Sequence, residues 1–354
     1  MKKLFLVMAI AITVIFVTGC RENRRVSARN ADGRINVTAT IFPPYDFVRQ
    51  IAGDRVNLTM LLSPGSESHA FEPSPRDIIT IQNSDIFIHV GQERWVDRVF
   101  QTMNTDNMKI VAMMDMVEVI ETGHDDHAHD HHHHHDHHEH GHHHHDHHHD
   151  EHHEHEHHHH EYHHHEHEHH HHDDGCDVHH YDEHVWTSPR NAILIVRYIT
   201  NLLSEADPAN AYYFQQNAAA YIIALEELDA AFQEVVNGAS RRTIVFGDRF
   251  PFRYFAAAYG LEYFAAFPGC ATQSDPSAAT IAFLINKIRS EQIPVVFHIE
   301  LSNERIADTI SGETGARKLL LHSVHNVSRQ DFDAGLGYLD LMRQNVENLR
   351  IALN

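Results

Sequence analysis

Residues 124–172 are almost entirely histidine, broken by Asp, Glu and single residues such as Gly141 and Tyr162, and they hold 33 of the 41 histidines of the chain. No apolar residues recur there at the helical or the strand period, so the stretch cannot join a packed core. We expect a solvated, mobile insertion around which the rest of the chain must fold. Neutral imidazole suits zinc, copper and nickel, and neighbouring carboxylates attract cations. The stretch is typical of a collector of transition metals; an acidic low-complexity loop or an engineered tag is the alternative.

The acidity of the chain is concentrated in the same region. The formal net charge is −23, and about −8 remains once the 15 acids between Asp125 and Asp174 are set aside, because that span contains no Lys or Arg. No basic face or RNA-binding motif occurs, so we expect no nucleic-acid partner. With 354 residues, the chain has room for two domains with a sizeable core.

The N-terminal residues are typical of an exported lipoprotein. Lys2 and Lys3 precede an apolar segment, residues 4–17, that is too short to predict a membrane-spanning helix. Residues 17–20, VTGC, resemble a bacterial lipobox, in which the cysteine becomes lipidated and N-terminal after cleavage. We therefore expect a signal peptide over residues 1–20, cleaved before Cys20, and a polar tether over residues 21–33. The expected location is the extracytoplasmic face of the cell membrane, held by a lipid anchor.

Strands and helices alternate in the rest of the chain. β-Branched and apolar runs predict strands at 34–40, 55–62, 85–90 and 109–113, and again at 243–247, 261–267, 294–299 and 317–322. Helical segments are predicted between most of these strands. This alternation predicts mainly parallel sheets covered by helices on both faces.

One long helix is predicted between the two sets of strands. Its apolar residues are spaced alternately four and three apart: Phe214, Ala218, Tyr221, Leu225, Leu228, Phe232 and Val235. This single stripe predicts a helix of about 30 residues that packs along its own protein. The predicted fold is α/β, with two lobes, each a mainly parallel sheet with flanking helices, bridged by this helix. The N-terminal lobe covers residues 34–187 including the insertion, the linking helices 188–237, and the C-terminal lobe 238–354.

Three loops outside the histidine-rich stretch carry candidate metal ligands. His69 follows the second predicted strand, His184 precedes the linking helices, and His322 ends the last strand, with His325 three residues later. Ligands of open α/β sheets gather beyond the carboxyl ends of the strands. A lone loop histidine is usually solvated, so these positions alone do not establish a site.

Two segments resemble a known family. Residues 64–75, PGSESHAFEPSP, closely resemble the P-G-x-x-x-H-x-[FY]-E-P-[ST]-P segment of the zinc and manganese solute-binding proteins of ABC transporters. Residues 182–186, DEHVW, resemble that family's second ligand segment, D-P-H-x-W, and the histidine-rich stretch lies where zinc-handling members carry theirs. The resemblance runs from residue 36 to the C-terminus. It implies a metal in the cleft between two lobes, with two ligands from each lobe, and His69 and His184 as ligands of the first.

The second lobe departs from the family pattern. The family's third ligand is usually a histidine in H-x-A-F-x-Y, but residues 247–254 read GDRFPFRY, which puts the non-ligating Arg249 in that position. Asp248, one residue earlier, can ligate, and His322 stands where the family usually has Asp or Glu as its fourth ligand. The resemblance thus implies three histidines and one carboxylate, which suit tetrahedral zinc. His325 and Glu300 are reserve ligands.

The resemblance implies a monomeric zinc-binding lipoprotein that delivers Zn²⁺ to an ABC transporter permease and catalyses no reaction. An imidazole-rich site favours zinc over manganese. A manganese-binding protein and a metal-storage or adhesion protein of the cell surface are the alternatives. A zinc hydrolase would keep three protein ligands and an open water position, and no H-E-x-x-H or comparable general-base motif supports one.

The expected location bears on the chemical state of the three cysteines. Once Cys20 is lipidated, Cys176 and Cys270 remain, in an oxidising compartment. We predict a disulfide bond between them, which would tie the end of the histidine-rich stretch to the second half of the chain. Two free thiols or thiol metal ligands are the alternatives.

Overall fold

The computed structural model describes residues 33–67, 71–122, 181–267 and 275–354. The predicted signal peptide, most of the tether, the histidine-rich stretch, His69 and all three cysteines lie outside these ranges. The chain divides into a compact unit that ends at Ile120 and resumes at Tyr181, and a second unit, Glu121–His180. Of the second unit the structure describes Glu121 and Thr122.

Two four-stranded sheets form the centres of the two lobes, and all their strands are parallel. The strands of the first sheet are β1 (Ile35–Ala39), β2 (Val56–Met60), β3 (Ile86–His89) and β4 (Lys109–Ala112). The strands of the second sheet are β5 (Thr243–Phe246), β6 (Glu262–Ala265), β7 (Val295–His298) and β8 (Arg317–Leu320). The strand order is β2-β1-β3-β4 in the first sheet and β6-β5-β7-β8 in the second, so the lobes repeat one topology. The predicted α/β fold of two parallel-sheet lobes is confirmed.

Helices flank and join the sheets. Those of the first lobe are α1 (Phe42–Ala52), α2 (Pro75–Gln82) and α3 (Arg94–Phe100), and the linking helices are α4 (Pro189–Ala206) and α5 (Ala211–Asn237). Those that follow are α6 (Arg253–Tyr259), α7 (Ala278–Glu291), α8 (Arg305–Thr314), α9 (Arg329–Asp333) and α10 (Tyr338–Leu353). Short 3-10 turns cover Met113–Met116 and Val185–Thr187. Among the described residues, no helix combines the length and apolarity needed to cross a membrane.

Local side-chain chemistry explains where two of these helices begin. Ser74 caps α2: its hydroxyl accepts from the Asp77 N–H at 3.3 Å, while the Asp77 carboxylate accepts from the Ser74 N–H at 2.8 Å. This reciprocal capping satisfies two N–H groups that a helix end leaves without partners. Ser328 caps α9 through the Asp331 N–H at 3.0 Å. Helix α9 is not among the elements predicted from the sequence, although the Ser-x-x-Asp spacing indicates a helix start there.

The long helix α5 organises the packing of the unit. All seven residues of its predicted stripe are buried, which confirms the prediction that it packs along its own protein. It contacts α1 of the first lobe, α4 beside it, and α6 and α10 of the second. One continuous apolar cluster therefore runs from Val37 and Ile88 in the first sheet, past Phe214 and Phe232 on α5, to Phe297 in the second.

A buried carboxylate also joins the lobes. The Asp46 side chain is fully buried in α1 and accepts from Arg49 Nη2 at 2.6 Å and from the backbone N–H of Tyr338 at 2.7 Å. The Tyr338 hydroxyl in turn donates to the Trp186 carbonyl at 2.7 Å. Burying a charge is favourable only when it is paired and hydrogen-bonded. Arg49 pairs with Oδ1 from within α1, and the docked N-terminus of α10 supplies the hydrogen bond to Oδ2.

Gly247, directly after β5, allows close packing of α8. A Cβ at this position would lie 2.7 Å from the backbone N of Ala307 and 2.8 Å from its Cβ, and closer still to its Cα. Since α8 lies this close, the strand end that carries Asp248 and Arg249 is held against it. Only glycine fits there without moving one of the two elements.

We predict that Gly247→Ala lowers the free energy of unfolding by about 1–3 kcal/mol, because the added methyl overpacks the contact with α8. Gly312→Ala is the matched control: Gly312 lies within α8 and a Cβ there meets nothing within 4 Å. Alanine should raise stability at that position by about 0.5–1 kcal/mol through helix propensity. Urea denaturation of both variants measures the difference. Equal midpoints would contradict the predicted overlap.

Candidate metal site

A small cavity of about 30 Å³ lies where loops of the two lobes meet. Its polar wall comprises Ser66, Glu67 and His184 from the N-terminal side of the chain and, from the second lobe, Arg249, Glu300, Ser323, His325 and Asn326. The second-lobe residues follow the carboxyl ends of β5, β7 and β8, as expected for ligand sites of parallel sheets. A space of this size accommodates one or two water molecules or a bare metal ion.

His184 is held by the carboxylate of Asp182. The Asp182 Oδ1 atom lies 3.0 Å from His184 Nδ1 and accepts from its backbone N–H at 2.8 Å. Burial raises the pKa of Asp182, but His184 and the Arg253 guanidinium favour the carboxylate, and the pKa lies below its ordinary value. A carboxylate can only accept, so Nδ1 carries the proton and Nε2 is the nitrogen available to a metal. The pair has the arrangement of an oriented metal-binding histidine.

His325 faces His184 across the cavity wall. The two ring centroids lie 5.3 Å apart, edge to face, and both rings contact the indole of Trp186. The Glu300 carboxylate accepts from the Ser323 N–H at 2.7 Å, the Ser323 hydroxyl at 2.6 Å and the His325 N–H at 3.1 Å. Glu300 therefore organises the loop on which His325 is carried.

The other two predicted second-lobe ligands make different contacts and are not among the described residues that line the cavity. His322 is buried, its Nδ1 accepts from the Val324 N–H at 2.9 Å, and its backbone N–H donates to Asn345 at 2.7 Å. The Asp248 carboxylate accepts from the Arg249 N–H at 2.8 Å and the Ile299 N–H at 3.2 Å. Both side chains thus stabilise loops beside the cavity.

Two further carboxyl groups are partly buried in this region: Glu183 lies beside His184, and Glu93 interacts electrostatically with Glu183. Burial raises the pKa of Glu183, with Glu93 and Asp182 adding to the shift and His184 opposing it. At Glu93 burial also raises the pKa, but His89 and the Val90 and Gly91 N–H groups outweigh it and the pKa is lowered. Glu93 therefore adds negative charge to this region, which favours a cation.

Two aromatic side chains hold the backbone around the site. The Trp186 indole N–H donates to the Ser323 carbonyl at 2.8 Å, which joins its 3-10 turn to the loop of His325. The Tyr254 hydroxyl donates to the Asp182 carbonyl at 2.7 Å and accepts from the Ile120 N–H at 3.1 Å. Burial raises the pKa of Tyr254 to about 12, so it stays a neutral donor at physiological pH.

The loop that leads to His69 is attached to the second lobe by backbone and amide hydrogen bonds. Asn326 is buried, and its Nδ2 donates to the carbonyls of Ser63 at 2.9 Å and Ser66 at 2.8 Å. The Gly65 N–H donates to the Val327 carbonyl at 2.7 Å. Residues 68–70, which include His69, lie outside the described ranges. The described loop ends at the cavity wall with Glu67.

Within the described ranges, no three His, Cys, Asp or Glu side chains are grouped closely enough to hold a metal ion. What the structure brings to one cavity is two imidazoles, His184 and His325, and the Glu300 carboxylate. His325 and Glu300 are predicted from the sequence only as reserve ligands, and neither Asn326 nor the contact of Glu67 is predicted. The Ser-x-His-Asn run after β8 was the available signal, because polar residues at a strand end tend to face a site.

Two α/β lobes that meet at a polar cavity have the architecture of a two-lobed solute-binding protein. The profile of the family described as "Zinc-uptake complex component A periplasmic" (ZnuA) matches residues 37–352. The chain belongs to this family.

Individual relatives match this chain over most of its length, and a solved structure shares its fold. The zinc-binding lipoprotein AdcA of Streptococcus pneumoniae strain R6 is 29% identical over 99% of this chain, which spans 61% of that protein. The high-affinity zinc uptake system protein ZnuA of Bacillus subtilis strain 168 is 28% identical over 99% of this chain and 98% of its own length. A solved structure of Zn(II)-bound AdcA from Streptococcus pneumoniae matches with a TM-score of 0.66 at 27% identity, over 91% of this chain and 58% of that one.

We predict that Asn326→Ala loosens the first-lobe loop. The variant removes two hydrogen bonds to the Ser63 and Ser66 carbonyls, which should weaken the attachment of this loop to the second lobe by about 1–3 kcal/mol and speed amide exchange over residues 63–67 about tenfold or more. Hydrogen exchange with mass spectrometry measures this.

Asn348→Ala is the control for that experiment. Its Nδ2 donates to the Leu320 carbonyl at 2.8 Å, entirely within the second lobe, so its removal should leave exchange over residues 63–67 unchanged. The same protection in Asn326→Ala as in the unsubstituted protein would show that the amide does not hold the loop.

Proposed function

We propose that this chain is the extracytoplasmic zinc-binding protein of an ABC uptake system, which captures one Zn²⁺ between its lobes and delivers it to a membrane permease. One observation carries the proposal. The carboxylate-oriented imidazole of His184 and the imidazole of His325 lie 5.3 Å apart, centroid to centroid, on the wall of the cavity between the lobes.

The ligand set that we propose is His69 and His184 from the N-terminal side, with His325 and Glu300 from the second lobe. His325 and Glu300 are favoured over His322 and Asp248 because they line the cavity. A ligand role for His322 and Asp248 stays a prediction. The zinc affinities of the histidine variants described below decide between the two ligand sets.

The chemistry of the set favours zinc. Three imidazoles and one carboxylate match the tetrahedral N/O coordination of Zn²⁺, whereas Mn²⁺ prefers sites rich in oxygen. The relatives named above also support zinc as the bound ion, because both are described as zinc-binding or zinc-uptake proteins and one structure holds Zn(II). The family is one of solute-binding proteins, and the function that we infer is capture and release without a chemical reaction.

The remaining parts of the chain fit this function. Residues 1–20 would act as the signal peptide, Cys20 as the lipid anchor and residues 21–33 as the tether. Residues 34–187 would form the first lobe, 188–237 the linking helices and 238–354 the second lobe of a monomer. Residues 124–172 would collect Zn²⁺ weakly at many imidazoles, and a disulfide bond between Cys176 and Cys270 would tie the end of that region to the second lobe.

We predict that His184→Ala and His325→Ala each weaken the tightest zinc site by one to two orders of magnitude or more, because each removes a proposed ligand. His298→Ala is the control: His298 ends β7, and it is not among the described residues of the cavity wall. Competition with a zinc chelator, at free zinc too low to load weak sites, measures the affinities.

His322→Ala decides between the two ligand sets. Unchanged affinity supports His325 as the ligand, whereas a loss in His322→Ala with none in His325→Ala would overturn the proposed set. If neither His184→Ala nor His325→Ala has an effect, the cavity is not the zinc site and the proposed function fails.

We predict weaker zinc retention in acid. Free imidazole titrates near pH ~6.5 and must be neutral to bind a metal, so protons compete with Zn²⁺ below that value. Each ligand histidine should lower the affinity by about tenfold per pH unit between about pH 6 and 4.5. Chelator competition across this range measures the slope, and His184→Ala should reduce it. A flat profile would mean that carboxylates or thiols hold the ion.

We predict that the histidine-rich stretch and the cavity are separable. The sequence of residues 124–172 has no apolar period with which to pack on a core, so holding one tetrahedral geometry there should cost conformational entropy and each site should bind weakly. Deleting residues 125–172 should abolish many weak sites and leave one tight site, as measured by zinc titration calorimetry. A deleted protein that folds, by circular dichroism, but lacks the tight site would contradict this division.

A further inference from the structure

Arg249 forms an ion pair with Glu67 across the cavity wall. Its Nη1 lies 3.2 Å from Glu67 Oε1 and its Nη2 lies 3.4 Å from Oε2, so two guanidinium nitrogens face the two carboxylate oxygens. The Arg249 side chain is 21% exposed and that of Glu67 44%. Both residues line the same cavity as His184 and His325. The pair therefore joins the first-lobe loop to the end of β5 beside the proposed metal ligands.

The pairing changes what the cavity offers to a cation. The guanidinium is permanently charged and has no acceptor, so it cannot ligate. It also occupies both oxygens of Glu67, the one carboxylate on the described part of the first-lobe wall. The carboxylate is a ligand type that suits Mn²⁺ and Mg²⁺, whereas imidazole suits Zn²⁺. Arg249 thus withholds an oxygen ligand and leaves the imidazoles in place.

We propose that Arg249 is a specificity-determining residue of this cavity: by pairing with Glu67 it disfavours oxygen-preferring divalent cations such as Mn²⁺ relative to Zn²⁺. The inference rests on the proposed function, because it concerns selectivity at the same site. Both ions carry the same charge, so repulsion by the guanidinium affects them alike. Withdrawal of a carboxylate affects them unequally, and this difference is what sets specificity.

A purely structural role makes a different prediction. If Arg249 only held the loops together, its loss would loosen the cavity and lower the affinities for both ions to a similar extent. Arg249→Lys keeps the charge but loses the two-pronged geometry, Arg249→Gln removes the charge, and Arg249→Gln with Glu67→Gln removes both partners. Comparing the three variants distinguishes an effect on metal selectivity from an effect on the attachment of the loops.

The experiment measures the affinities of the full chain for Zn²⁺ and for Mn²⁺ by competition with a fluorescent chelator. Buffered metal, too dilute to load weak sites, keeps the measurement on the tight site. In Arg249→Gln, the ratio of Mn²⁺ affinity to Zn²⁺ affinity should rise at least about tenfold, because the Glu67 carboxylate becomes available as a hard ligand. Arg249→Lys, which loses the two-pronged pairing but keeps the charge, should raise the ratio less than Arg249→Gln, and the double variant should return to the unsubstituted ratio.

Two results would overturn the inference: an unchanged ratio in Arg249→Gln, or the same rise in the double variant as in the single one. Failure of the proposed function looks different. The proposed function fails if the unsubstituted chain has no tight zinc site, or if the tight site survives His184→Ala. Either result also removes the basis of the inference. A tight zinc site lost in His184→Ala, together with an unchanged ratio in Arg249→Gln, refutes the inference alone.

Discussion

The apolar core that runs along α5 is the constraint on which the rest of the structure depends. One continuous buried cluster includes residues of both sheets, the linking helices and α10. Rotating one lobe far from the other would expose part of this cluster to water, at about 25 cal/mol for each Å² of apolar surface. The core therefore favours a fixed orientation of the lobes. Smaller movements are left to the loops that form the cavity.

Those loops are held together by polar contacts whose partners come from different lobes. Asn326 binds the Ser63 and Ser66 carbonyls, Trp186 binds the Ser323 carbonyl, and Tyr254 binds the Asp182 carbonyl. Each contact gives a loop carbonyl a side-chain hydrogen-bond donor from the other lobe. The cavity is thus built mostly from irregular backbone on a rigid base, an arrangement in which ligand contacts can be changed without unfolding either sheet.

The size and charge of the cavity bear on how an ion could enter and leave. A space of about 30 Å³ admits a metal ion only after most of its water has been removed. Imidazole and carboxylate groups must replace that water, and the orientation of His184 by Asp182 reduces the entropy lost in doing so. Protonation of the imidazoles or separation of the loops would each remove ligands, so both are physical routes to release.

Local patterns in the sequence determined the fold and the general location of the site. Strand and helix periods predicted the two parallel sheets, and the alternating stripe from Phe214 to Val235 predicted α5, because burial of one face imposes a period on the chain itself. The motif at residues 64–75 and the DEHVW segment pointed to His69 and His184, and the structure brings His184 to the cavity. Neither pattern needed knowledge of distant contacts.

Only the tertiary structure decided which second-lobe side chains face the cavity. His322 and His325 are three residues apart in an irregular loop, where no period assigns a face. Val324 between them adopts a φ of 59°, and Asn345 of α10 binds the backbone of His322, so that His325 reaches the cavity wall. The pairing of Arg249 with Glu67 likewise joins residues 182 positions apart. Such contacts depend on how the two lobes dock, and docking is a property of the folded core that no short segment encodes.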